Sequence, residues 1–206
     1  MRNLFLPLAL VAAGASPALA QRVHVGLKAG TSYTKLRGND PEQLSSASNA
    51  YYLGFHGGAL VNFAVTQAVS IQPELLYSQK GARNKINHDY HTRLHYLDLP
   101  IAVKVALGQT GFFVDAGPQF GYLLRGKSGV GKYTYKVHDQ YERIDIGFVA
   151  GLGYQLPIGL QAGFRYNGGF TRLNKPIIIN NSRILATDDI RNGAFQFYLG
   201  YQLASR

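Results

Sequence analysis

The stretch Gly126-Lys127-Ser128-Gly129-Val130-Gly131-Lys132-Tyr133 stands one position short of a phosphate-cradling loop of pattern G-x-x-x-x-G-K-S/T. Gly126, Gly131 and Lys132 meet the pattern and Tyr133 breaks it. Such a loop works only if a helix follows, so that its N-terminus and backbone amides receive phosphate. Here Tyr133-Thr134-Tyr135-Lys136-Val137-His138 follows, β-branched and aromatic with no helical face. A tyrosine ring also cannot replace the short hydroxyl that would hold Mg²⁺. The stretch is read as a flexible basic loop from Gly126 to Lys132, and no nucleotide or other cofactor is assigned.

Six histidines raise metal binding and acid–base catalysis. His88, Asp89, His91 and His95 gather around the entry to one apolar segment, but their spacing matches no established ligand set. His95 with Ser78 or Glu142 offers the residue types for acyl transfer, yet no nucleophile elbow or HExxH motif organises them. Asn180-Asn181-Ser182 forms a glycosylation sequon. No catalytic or metal residue is assigned, and the chain is expected not to be an enzyme.

The elements that must position all these residues are strands. Period-two alternation recurs in eight segments, beginning with Val23, Val25, Leu27, Ala29 and Tyr33 against His24, Gly26, Lys28, Gly30 and Ser32. The others run near residues 51–63, 69–78, 97–105, 112–122, 144–154, 160–170 and 195–203. Three connections are short, at Thr66-Gln67, Gly108-Gln109-Thr110 and Pro157-Ile158-Gly159. Four are long, near residues 35–50, 81–93, 126–142 and 172–192. Short turns at one end and long loops at the other predict an all-β fold, an eight-stranded antiparallel up-and-down transmembrane β-barrel.

Two features favour a membrane barrel over a soluble exported barrel that binds a hydrophobic ligand. The apolar face is crowded with Phe, Tyr, Leu and Ile, whereas the other face is rich in glycine and charge. An eight-stranded interior is narrow, so the bulky set suits the outside. Tyr51, Tyr77, Tyr122, Tyr154, Tyr166 and Tyr201 sit near segment ends, as an interfacial girdle requires. The leader fits export: Arg2, an apolar run from Leu4 to Ala15 and the A-x-A site Ala18-Leu19-Ala20 predict a signal peptide over 1–20 and a barrel over 21–206. The chain has no cysteine, so disulfides do not hold it.

Alternation then sends Lys28, Glu74, Asp98, Lys104, Asp115, Asp145 and Arg165 into the barrel as a packed charge network. Lys104 and Asp115 flank one short turn at nearly equal distance and should face each other. Outside, the long loops are basic. Four cations stand against one acid over 80–93, five against two over 125–143 and four against two over 172–192, while 35–50 balances. With a net charge of +10, Arg83, Lys85, Lys127, Lys132, Lys136, Lys175 and Arg183 suit the phosphates of outer-membrane lipid, including lipopolysaccharide, or an anionic surface partner. An exported chain of this charge meets anionic lipid or polysaccharide rather than nucleic acid, and it is expected to act as a monomer.

The segments Ile71-Gln72-Pro73-Glu74-Leu75-Leu76-Tyr77-Ser78-Gln79-Lys80-Gly81 and Tyr96-Leu97-Asp98-Leu99-Pro100 carry a further signal. With Gly54–Phe63 and Asp145–Gly153 they resemble the outer-membrane β-barrel family of Bacteroidetes often called PorT-like. The resemblance covers nearly all of residues 22–203. It implies an outer-membrane barrel and supplies no catalytic residues to carry over. It also raises a part in a secretion assembly beside membrane integrity and surface adhesion. Some eight-stranded outer-membrane barrels modify lipid A, which keeps that chemistry as an alternative. The chain ends Leu203-Ala204-Ser205-Arg206 rather than in the terminal aromatic of many such barrels.

Overall fold

Three glycines turn the chain at one end of the fold: Gly108 (φ 64°), Gly111 (φ 87°) and Gly159 (φ 89°) occupy left-handed backbone that a side chain resists. The remaining short turn uses Thr66, whose Oγ1 accepts from the amides of Ala68 (3.2 Å) and Val69 (2.9 Å). Between these turns and the opposite end the alternating segments pair as strands. The computed structural model describes residues 23–37, 49–84, 90–130, 133–136, 141–173, 177–179, 182–184 and 190–203.

In chain order the strands are β1 (Val23–Arg37), β2 (Asn49–Ala64), β3 (Val69–Asn84), β4 (Tyr90–Ala106), β5 (Phe112–Val130), β6 (Tyr133–Lys136), β7 (Ile144–Gln155), β8 (Leu160–Gly169), β9 (Ile177–Ile179), β10 (Ser182–Ile184) and β11 (Arg191–Gln202). Every pairing is antiparallel. The order β4-β3-β2-β1-β11-β8-β7-β5 closes on itself through β4–β5, so eight strands form a barrel. Strand β6 adds to the outer end of β5, and β9 with β10 makes a separate two-stranded sheet.

The wall alternates as the sequence requires. Leu27, Phe55, Leu75, Leu99, Phe120, Leu152 and Leu199 are exposed on the outside, while Lys28, His56, Glu74, Asp98, Gln119 and Gly200 face in. Tyr33, Tyr51, Tyr77 and Tyr122 ring the wall toward the long-loop end. Tyr154 and Tyr201 ring it toward the short turns. Aromatic contacts tie neighbouring strands on the outer surface, among them Phe112 against Tyr154 at 4.9 Å and Phe164 against Phe197 at 4.9 Å.

Two expectations need correction. The stretch Gly126 to Val130 is not loop: it continues β5, pairing Lys127 with Arg93 of β4 and with Lys136 of β6. The β-branched and aromatic Tyr133-Thr134-Tyr135 that excluded a helix makes it a hairpin arm instead. Residues 81–84 and 90–93 likewise belong to strands, so β3 and β4 pair out to Arg83 and His91. The wall formed by β3, β4 and β5, with strands of 16, 17 and 19 residues, therefore rises above that of β7, β8 and β11, with 12, 10 and 12. About 9–11 residues suffice to cross a bilayer.

Candidate functional site

The barrel interior is the first candidate. Arg165 on β8 lies at its centre. Its guanidinium donates to both carboxylate oxygens of Glu74 (3.0 and 3.1 Å) and to both of Asp115 (3.2 and 2.8 Å). Lys28 on β1 donates to Glu74 Oε1 at 2.6 Å and stands 3.9 Å from the centroid of the Tyr198 ring. Gln72 Nε2 adds a third donor to Glu74 Oε1 at 2.8 Å. Asn167 and Gln119 hydrogen-bond to each other above this layer. The four charges are each under 5 % exposed, so the forked geometry that satisfies both acids together is what makes their burial tolerable.

Lys104 and Asp115 do sit opposite each other in register, but they do not form an ion pair. The Lys104 ammonium instead donates to Gln155 Oε1 (2.6 Å) and Gln161 Oε1 (3.0 Å) and lies 3.7 Å from the Phe113 ring centroid. Asp115 is already engaged by the bidentate Arg165. Below Lys104 a cavity of about 250 Å³ opens toward the short-turn end, lined by His24, Asn62, Gln155 and Gln202 among others.

A second layer lies nearer the long loops. Lys80 Nζ is 3.1 Å from Asp98 Oδ1 and 3.6 Å from Asp145 Oδ2, and Asn192 donates to Asp145 Oδ2 at 2.7 Å. Sequence reasoning placed Lys80 among the loop charges. It is 1 % exposed and belongs to the interior. The signal was present, because Lys80 keeps the even parity of Gln72, Glu74 and Ser78 on the same strand. Among the described residues four buried cations (Lys28, Lys80, Lys104, Arg165) face four buried acids (Glu74, Asp98, Asp115, Asp145).

Above that layer the interior turns apolar, contrary to a wholly polar lumen. Leu94, Tyr96, Leu123 and Leu173 form a buried cluster, with Ala82, Tyr141 and Ile190 packed against it. Leu173 reaches it because the chain after β8 folds inward. Its amide donates to the Ile190 carbonyl (2.8 Å) and its carbonyl accepts from the Glu142 amide (2.7 Å).

The second candidate is the outer surface of the rim. Arg83 is exposed at the end of β3, Lys127 lies on β5 and Lys136 on β6. They are strand residues rather than loop residues. Arg183 lies on β10; its side chain and all of Lys85, Lys132 and Lys175 lie outside the described residues. Arg93 and Arg125, counted among the loop cations but not singled out from the sequence, stand exposed beside Lys127 on the strand wall.

The histidine and serine candidates do not converge. Ser78 faces the interior, whereas His95 is on the outer face with Nδ1 2.5 Å from the Tyr77 hydroxyl. Glu142 lies where the chain meets Leu173. His88 and Asp89 fall outside the described residues, as do Asn180 and Asn181 of the sequon and the leader. Among the described residues no three His, Cys, Asp or Glu side chains are grouped to hold a metal ion.

Comparison with known proteins fits this architecture. No curated protein matches the chain. Among solved structures, the fold is similar to Neisserial surface protein A (NspA), at TM-score 0.54 and 14% identity over 87% of this chain and 97% of that one. It is also similar to Ail, the attachment invasion locus protein of Yersinia pestis, solved in complex with the heparin analogue sucrose octasulfate, at TM-score 0.50 and 9% identity over 88% and 99%. A sequence model described as "Outer membrane protein beta-barrel domain" matches residues 15–175. With the apolar face outward and the charges within, the soluble ligand-binding barrel is set aside: the chain belongs to the outer membrane protein β-barrel domain family and resides in the outer membrane.

Proposed function

We propose that this chain is a non-conducting barrel that supports membrane integrity and works through its outer rim, as a single protomer without catalysis. One observation carries the reading: Arg165 clamps Glu74 and Asp115 across the lumen, with Lys28 on the same carboxylate. A conduction path needs sites that an ion enters and leaves readily. Here Lys28, Glu74, Asp115 and Arg165 are matched to one another at hydrogen-bond distance, Lys104 is held by two glutamines, and the apolar Leu94–Tyr96–Leu123–Leu173 cluster stands over them. What remains for interaction is the rim, whose cations suit anionic lipid, including lipopolysaccharide, or an anionic surface protein. The segments around Gln72–Gly81 and Tyr96–Pro100 support a place beside PorT-like barrels of Bacteroidetes, and with it a secretion-assembly partner.

The test is conductance. Purified protein inserted into a planar bilayer should give no steps above the bare membrane, and R165M should remain silent while the apolar cluster stands. Regular unitary steps from the wild-type protein would overturn the reading.

A further inference from the structure

The rim cations are not scattered. Cross-strand register puts Tyr77, Leu97 and Tyr122 in one row over β3, β4 and β5. Two residues farther out the row is Gln79, His95 and Arg125. Four residues farther out it is Gly81, Arg93, Lys127 and, on β6, Lys136. Residues directly opposite on antiparallel strands lie about 4.5–5.5 Å apart, so three cations stand shoulder to shoulder with a fourth next to them. Like charges so placed oppose strand pairing. None of Arg93, Arg125, Lys127 and Lys136 makes an ion pair with an acid among the described residues.

The outward aim of Arg125 and Lys127 depends on one irregularity. Between His95 and Tyr96 the register shifts, Tyr96 opposing Leu123 and His95 opposing Arg125, so Leu124 is an extra residue in β5. A bulge of this kind reverses the alternation beyond it. Before it Leu123 faces in and Tyr122 out. After it Gly126 and Ser128 face in, while Arg125 is exposed and Lys127 half-exposed. Without the bulge both cations would point into the lumen.

The height of the cluster identifies the ligand. From Leu97 to Arg93 is four residues, about 13 Å along a strand and roughly 10 Å in height once strands tilt by 35–45°. The aromatic row of Tyr77 and Tyr122 marks the membrane interface. The cations therefore stand at headgroup level on the lipid-facing wall, directly above exposed Leu97, Leu99 and Leu124. A ligand there must offer acyl chains to the lower wall and clustered phosphates above.

We infer that Arg93, Arg125, Lys127 and Lys136 form a docking site for the phosphates of a lipid A-type glycolipid on the outer wall of β4, β5 and β6. The site specifies one partner of the interaction reading above and rests on it.

Native mass spectrometry of the detergent-purified full-length protein tests the site, with bisphosphorylated lipid A, dephosphorylated lipid A, inorganic phosphate and a heparin oligosaccharide as probes. Bisphosphorylated lipid A should be retained, inorganic phosphate should not displace it, and dephosphorylated lipid A should bind weakly. The triple variant R93Q/R125Q/K127Q should lose retention roughly a hundredfold. The double variant K35Q/R172Q, which removes two cations on another sector of the rim, should retain it. Heat-modifiable gel mobility reports folding, and if the triple variant fails to fold, the single variants R93Q and K127Q should each show a smaller loss. Equal loss in both multiple variants, or equal binding of the two lipid A forms, overturns the site. Preferential retention of heparin overturns it in favour of a sulfated glycan. Loss of lipid selectivity with conductance still absent removes this site alone, whereas conductance with selectivity intact removes the closed-barrel reading alone.

Discussion

Arg165 is the residue on which the interior depends. It satisfies four carboxylate oxygen contacts from two acids that are themselves almost fully buried. Replacing it with methionine keeps most of the volume and leaves Glu74 with Lys28 but Asp115 without a cation. The expected cost is about 3–5 kcal/mol, the range for removing one partner of a buried ion pair. Urea unfolding of the refolded barrel in micelles would show it as a lowered midpoint. Adding D115N to R165M should recover part of the loss, because the orphaned acid disappears while Glu74 keeps Lys28. No recovery would mean that the guanidinium acts by packing alone. Much of this network was legible from alternation: Lys28, Glu74, Asp98, Lys104, Asp115, Asp145 and Arg165 all fall on inward positions. The pairing was not legible, because Lys104 and Asp115 oppose each other on adjacent strands yet bond elsewhere. Partner choice across a lumen depends on side chains from strands distant in sequence, Arg165 and Glu74 being the clearest case.

At the scale of elements, the turns and the bulge decide where side chains point. Gly159 has a φ of 89°, and a Cβ there would come 2.2 Å from the Gln202 carbonyl oxygen. Gly108 shares the left-handed conformation (φ 64°) with open space around it. G108A should therefore cost about 1–2 kcal/mol for backbone strain alone, and G159A distinctly more, because the last strand must also move. Unfolding midpoints of the two variants would rank them, and equal costs would contradict the geometry. Strand number and the three short turns followed from period two and from Gly, Pro and Thr. Strand ends did not. Leu94 and Tyr96 continue the inward parity of Asp98, yet the polarity of the two faces reverses there, with His95 and Arg93 outside, so the pattern that marked the strand faded. The Leu124 bulge has no signature in one strand, since it exists only relative to β4. Arg125 counted only as a loop charge for the same reason, whereas Arg93 keeps the outward parity of Leu97 and Leu99.

On the scale of the whole molecule, the fold places two unlike surfaces back to back. The inside is occupied by matched charges and an apolar cap, and the outside by an apolar wall between aromatic rings with cations at the long-loop end. Because a strand shows one face to each medium, this separation is the direct product of period-two alternation in a closed sheet. Among the described residues the taller β3–β5 sector carries Arg83, Arg93, Arg125 and Lys127 at its rim, and its height makes the barrel asymmetric about its axis. The absence of cysteine from the chain permits a direct test of the central claim. Ser32 and Ser78 are each 1 % exposed and face the lumen, while Leu99 faces out at 40 %. In S32C, S78C and L99C proteins reconstituted in liposomes, labelling by a membrane-impermeant, water-soluble maleimide should be slow at both lumen positions, and L99C should react only with a lipid-soluble reagent. Rapid labelling of S32C and S78C by the water-soluble reagent would contradict the account, because it would mean that water fills the barrel.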